Sequence, residues 1–365
     1  RHLLHEKGVT HERTSLRPHP KGLIMVLNHC YGEDTMRHPI LTAALAGTVA
    51  LTMVGCSTNK DDQSASVDKS DKPVIVASTN VWGSVARAVG GDQAEVKSVI
   101  TKPTQDPHDY EATAQDKLAF SKASIAIVNG GGYDDWATTL AKSSDSKPTL
   151  IDAVTASGLK TTDDADHDED TDHEEHGDHD ADHEGHHHHH GEFNEHVFYS
   201  IDTALKVSKV IETQLSKADP DHANDYKANA DEFAGQLKDL DKKADSFADS
   251  HKDVHALATE PVAGYLLQDM GIEDSTPEEF VTQSETDAGP STKTVADTKA
   301  LLSGKKVQLL VVNGQTTDAI TDQLRSTAKT AGIPEVGVTE TLPEGVDTYA
   351  DFIGSTIDKI STTVK

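Results

Sequence analysis

Four residues far apart in the chain have side chains suited to a divalent cation. His108 lies in "DPHDYEAT", His196 in "NEHVFYS", Glu260 closes "VHALATE", and Asp318 follows "LLVVNG". Imidazole nitrogen together with carboxylate oxygen is a donor set for Zn²⁺ or Mn²⁺. Taken singly each is weak, because a loop histidine is more often solvated and a strand-end acid more often caps a helix. Asp318 in particular stands where it would cap the helix after it. Spacing along the chain does not show that the four converge. A second feature is denser: residues 166–198 read "DHDEDTDHEEHGDHDADHEGHHHHHGEFNEHVF", alternating carboxylates with imidazoles. High charge and few apolar groups cannot offset an ordering cost of roughly 1–2 kcal/mol per residue, so residues 162–195 read as a disordered insert. Disorder is compatible with a role. His167, His173, His176, His179, His183 and His186, His187, His188, His189 and His190 would raise the local ligand concentration beside His196. They are expected to capture Zn²⁺ and pass it on, and to lose that capacity below about pH 6.5 as the imidazoles protonate.

The elements that must position these residues follow from hydrophobic period. "PVIVAST", "AEVKSVI", "SIAIVNGG" and "PTLIDAV" read as strands, separated by helical stretches that include residues 81–89 and "YDDWATTLAKS". After the insert come the helix "SIDTALKVSKVIETQLSKA" and a longer one over residues 219–250. Asp219 suits its N-cap and Pro220 its first position. Ala223, Tyr226, Ala230, Phe233, Leu237, Leu240, Ala244 and Phe247 recur every three or four residues as one apolar stripe, so this helix reads as a rigid connector. Strand–helix alternation then resumes with "VHALATE", "KVQLLVVNG" and "IPEVGVTE". The expected fold class is α/β: two lobes with mainly parallel sheets, residues 73–218 and 251–365, joined by the long helix over 219–250. Ligands in such sheets sit where loops leave the strands' carboxyl ends, which places a cleft between the lobes.

Composition narrows the function. A formal charge of −29 argues against nucleic acid, which needs clustered Lys and Arg. From Met36 the text becomes "MRHPILTAALAGTVALTMVGCSTNK", with a short basic start, an apolar run, and a small residue before Cys56. That run is short for a permanent membrane span and has the layout of an export signal. Residues 36–55 therefore read as a signal peptide, 56–72 as a flexible tether, and 1–35 as an upstream extension ahead of the expected start. The chain has two cysteines, Cys30 and Cys56. The mature domains are thus expected to hold neither a disulfide nor a cysteine nucleophile.

"MVGC" resembles the lipobox of bacterial lipoproteins. "DPHDYEATAQD", "NEHVFYSIDTALKVSKVI", "TEPVAGYLLQDMGI" and "GIPEVGVTETLP" resemble the solute-binding lipoproteins of bacterial zinc and manganese ABC transporters. The resemblance runs from about residue 73 to the C-terminus and takes in the His-rich insert and the long helix. It implies one divalent ion between the lobes, no catalysis, and delivery to an ABC permease and its ATPase. It further implies a monomer, anchored through lipid on Cys56 to the outer face of the cell membrane. By position, His108 matches the first ligand, His196 the second and Glu260 the third. The fourth, an Asp after the last strand in manganese members, falls at Thr317 with Asp318 next to it, and Asp318 is taken. "NGQTTD" departs from the usual pattern, which leaves Asn313, Gln315 or water as alternatives. A His–carboxylate set leans to Mn²⁺, whereas the His-rich insert leans to Zn²⁺. The insert is weighed more heavily, giving Zn²⁺ with Mn²⁺ as the alternative. Readings from other classes are a surface adhesin with structural metal, and a metal-dependent hydrolase. The hydrolase would need an open coordination position and a base, and no GxSxG motif is present.

Overall fold

In the computed structural model, the residues that can be described are 72–159, 193–284, 288–316 and 318–364. The upstream extension, the signal peptide, Cys56 and the capture histidines of residues 167–190 lie outside them, as does all but the last residue of the tether.

The N-terminal lobe carries β1 (Val74–Thr79), β2 (Glu95–Ile100), β3 (Ile125–Val128) and β4 (Thr149–Asp152) in the order β2-β1-β3-β4, all parallel. The C-terminal lobe repeats the plan. There β5 (His255–Ala258), β6 (Glu273–Asp274), β7 (Leu309–Asn313) and β8 (Glu335–Val338) run parallel in the order β6-β5-β7-β8. Parallel strands covered on both faces read as unbroken apolar runs. That is why "IAIV" and "LLVVN", buried at every position, stood out from sequence. The strand order reverses between β1 and β3 and between β5 and β7, which opens a crevice at the carboxyl end of each sheet.

Helices α1 (Asn80–Gly90), α2 (Ala114–Phe120), α3 (Asp135–Ser143) and α4 (Ala153–Ser157) alternate with the first four strands. Next come α5 (Ile201–Ala218) and the long α6 (Ala223–Ser250). The C-terminal lobe adds α7 (Gly264–Asp269), α8 (Glu278–Ser284), α9 (Thr292–Ser303), α10 (Ala319–Ala331) and α11 (Tyr349–Thr363).

With 28 residues, α6 is about 42 Å long at 1.5 Å per residue. Its buried stripe, Tyr226, Ala230, Phe233, Leu237, Leu240, Ala244 and Phe247, is the expected one except that Ala223 is only half-buried. It packs on α1 and α5 of one lobe and on α7 and α11 of the other. The expected start is displaced. Residues 220–222 form a separate 3-10 turn, and Asp219 accepts hydrogen bonds from Tyr226 Oη (2.9 Å) and His222 Nδ1 (2.7 Å) instead of capping a backbone N–H.

Among the described residues, three apolar clusters result. One lies between the first sheet and α2–α3, and one between the second sheet and α9–α10. The largest is continuous from β1 and α1 through α5 and α6 to β5, β7 and α11, so both lobes share it. Burial at about 25 cal/mol per Å² of apolar surface makes such a seam costly to open. Polar clamps reinforce it: Tyr349 Oη donates to Phe198 O (2.9 Å), and Asn80 Oδ1 accepts from Leu342 N (3.0 Å).

Candidate metal centre

Each loop that reaches the crevice is held by a local device. The His108 loop, between β2 and α2, is pinned by Trp136 Nε1 donating to Pro107 O (3.1 Å) and by Asp106 Oδ1 accepting from His108 N (2.9 Å). A Thr113–Asp116 capping box starts α2 directly behind it. After β3, Gly130, Gly131 and Gly132 all have positive φ. A Cβ on Gly130 would lie 2.4 Å from the Asp152 carboxylate, so only glycine lets this turn close. The turn delivers Tyr133, whose ring meets the His108 ring edge-on at 4.6 Å and the His196 ring at 5.7 Å. Behind it the wholly buried Asp134 accepts from Asn129 N (2.7 Å) and Gly130 N (2.9 Å). Burial outweighs those bonds and pushes its carboxyl up to about 6.

His196 is the most tightly specified donor. Asn194 Oδ1 accepts from His196 N (3.0 Å) and lies 2.9 Å from His196 Nδ1. A backbone N–H can only donate, so this atom of Asn194 is the oxygen. Nδ1 therefore carries the proton, and Nε2 keeps its lone pair for the crevice. Asn194 is itself fixed by donating to Pro261 O (2.9 Å) in the other lobe, and its carbonyl accepts from Tyr265 Oη (2.7 Å). Residues 193–195, assigned from sequence to the insert, thus belong to the folded lobe, with Glu195 buried.

From the second lobe come two carboxylates. Glu260 follows β5 and Glu340 follows β8, and Asn313, the last residue of the intervening β7, donates through Nδ2 to both. It reaches Glu260 Oε2 at 2.6 Å and Glu340 Oε1 at 2.7 Å. Thr316 Oγ1 donates to Glu260 Oε1. The Glu340 loop is held by Gln315 Oε1, which accepts from Glu340 N and Thr341 N, and by Tyr199 Oη donating to Thr339 O (2.9 Å).

The free edge of Glu340 turns to the histidines, with Oε2 lying 3.6 Å from His108 Nε2 and 3.9 Å from His196 Nε2. Among the described residues, donors within 4.8 Å of one another form two groups sharing His108: one with Glu195 and His196, one with Asp106 and Glu340. Glu340 is only 2 % exposed. Desolvation, with the Asp106 charge second, pushes its carboxyl up to about 8. Burial and the same carboxylate raise the Tyr133 hydroxyl well above its ordinary value. Without a cation this crevice holds more buried acid than it can ionise, and a divalent ion would supply the missing charge.

Of the residues singled out from sequence, His108 and His196 come together here, whereas Glu260 joins neither group and is tied to the site through the Asn313 amide it shares with Glu340. Asp318 does not join either group. It is exposed, and its Oδ1 caps α10 by accepting from Thr321 N (2.6 Å). Thr317 lies outside the described residues. Asn313 and Gln315 are present as hydrogen-bonding partners of the carboxylates and their loop. Glu340 was missed, although one signal was available. "GVTETLP" puts a carboxylate two residues past a strand with no helix until Tyr349, leaving it no helix to cap.

Two like-built lobes, a long shared helix and a His–carboxylate crevice between them define a solute-binding protein of the metal-transporter type. The chain belongs to the family described as zinc-uptake complex component A, periplasmic (ZnuA), which matches residues 75–363. It is a family of non-catalytic binding proteins, which sets the hydrolase reading aside. The metal ABC transporter substrate-binding lipoprotein of Lactococcus lactis is 27% identical over 57% of this chain and 59% of its own length. The manganese-binding lipoprotein MntA of Bacillus subtilis is 26% identical over 57% of this chain and 58% of its own. The chain thus spans about three fifths of these two relatives. In fold it is similar to the periplasmic zinc-binding protein TroA of Treponema pallidum, with a TM-score of 0.63 at 16% identity, covering 80% of this chain and 99% of that one.

Proposed function

We propose that this protein is the exported binding component of a metal ABC importer, with His108, His196, Glu260 and Glu340 holding one divalent cation for delivery to the permease and its ATPase. The observation carrying this reading is the approach of Glu340 Oε2 to two imidazole Nε2 atoms, at 3.6 and 3.9 Å, across the lobe junction. Ligands bound at 2.0–2.1 Å in a tetrahedron stand about 3.3 Å apart, so a small contraction would seat Zn²⁺. The name of the B. subtilis relative favours Mn²⁺ as the alternative cargo, and the His-rich run favours Zn²⁺. We read the cargo as Zn²⁺, with the run as an accessory capture segment and Cys56 as the lipid anchor.

The test is competitive Zn²⁺ and Mn²⁺ titration with elemental analysis on protein starting after Cys56, with and without residues 163–192. Each form should hold one tight equivalent, and the longer form additional weak ones. Replacing His108 and His196 together by Ala should abolish the tight equivalent. Its survival in the shortened protein would refute the site, and equal stoichiometry of the two forms would refute the capture role.

A further inference from the structure

The geometry points to Asn313 as the residue that sets the coordination number of the bound cation, and through it the preference between metals. This rests on the binding reading above. In the second sheet β7 lies between β5 and β8, so the residue at its carboxyl end stands between the acids that follow its two neighbours. That residue is Asn313, 1 % exposed, and its single amide nitrogen bonds one oxygen of Glu260 at 2.6 Å and one of Glu340 at 2.7 Å. It cannot easily turn away. Its Oδ1 accepts from Gln315 N (3.1 Å), and its own N donates to Thr259 Oγ1 (3.1 Å).

A carboxylate that ligates through both oxygens must bring both to the ion. For Glu340 that rotation would break the 2.7 Å bond to the amide, so only Oε2 faces the imidazoles. Glu260 is restrained on both sides, by Asn313 on one oxygen and Thr316 Oγ1 on the other. In the ligand set proposed above, two imidazoles and two single-oxygen carboxylates make four donors. Four suits Zn²⁺, whereas Mn²⁺ favours six, supplied mainly by oxygen. The amide hydrogens act as stops against bidentate ligation, which is how the carboxyl-rich lobe remains a low-coordination site.

The test uses Co²⁺, whose visible absorption is strong when four-coordinate and weak when six-coordinate, alongside Zn²⁺/Mn²⁺ competition. Wild-type protein should give the strong four-coordinate band. In Asn313→Ala the band should weaken, and the Zn²⁺-over-Mn²⁺ affinity ratio should fall by roughly 10-fold to 100-fold, the size of effect that residues behind metal ligands exert. A merely structural Asn313 would lower both affinities alike and leave the ratio unchanged, which overturns the inference. A weak six-coordinate spectrum in the wild type overturns it equally, and that measurement does not require the variant to fold. Wild-type protein that takes up neither cation would instead overturn the binding reading on which this one stands.

Discussion

Replacing Glu340 by Gln should make the metal-free protein more stable while removing much of its reason to exist. The folded carboxyl holds its proton up to about 8, against 4.5 for the ordinary group, chiefly because it is desolvated. Between those two values the folded chain keeps a proton that the unfolded chain has lost, so stability falls as pH rises. Below 4.5 both states hold the proton and the cost vanishes; above about 8 neither does and the cost is complete. At about 1.4 kcal/mol per pH unit the full deficit is on the order of 5 kcal/mol, a large share of a typical stability of roughly 5–15 kcal/mol. Gln keeps the shape and can still accept from Asn313, but it carries no charge. Urea unfolding of chelator-stripped wild type and Glu340→Gln at pH 5, 6.5 and 8 reads the difference directly. Asp134 also titrates high, near 6, but it is common to both proteins and cancels. The variant should gain several kcal/mol on the wild type between pH 5 and pH 8. With Zn²⁺ a hundredfold above its Kd, the protein that can hold it gains about 2.7 kcal/mol, which should reverse the order at pH 5 and narrow the gap at pH 8. Parallel pH profiles for the two stripped proteins would refute the account of Glu340 as a buried acid kept for a cation.

Asp318→Ala should cost about 1 kcal/mol through loss of the α10 cap and leave metal affinity unaltered, checked by urea melts and Zn²⁺ competition. Asn194→Ala frees the His196 tautomer and its ring orientation. It should weaken metal binding by roughly 10-fold to 100-fold, in the same competition assay.

What the sequence determined was everything carried by local period and side-chain type. Aliphatic runs such as "IAIV" and "LLVV" had no polar face, so they had to be covered strands. An eight-residue stripe on a helix read over residues 219–250 had to be buried against something wide, and seven of the eight are buried in α6. His108, His196 and Glu260 were singled out because each sits in a loop at a strand's carboxyl end or beside a folded segment, and the structure brings the two histidines together. The tertiary structure decided which acid faces the imidazoles. Asp318 and Glu340 both follow strands of the same sheet, β7 and β8, and the local hint separating them is that Asp318 has a helix to cap and Glu340 has none. Asp318 is claimed by the unpaired N–H groups of the helix it begins, a bond made within four residues of chain. Glu340 has no such local partner. Asn80 and Tyr199 of the opposite lobe instead bond the backbone of its loop, 262 and 140 residues away in sequence. Contacts of that separation depend on strand order and lobe apposition, which arise from the summed burial of the shared core and are written in no single segment of the chain.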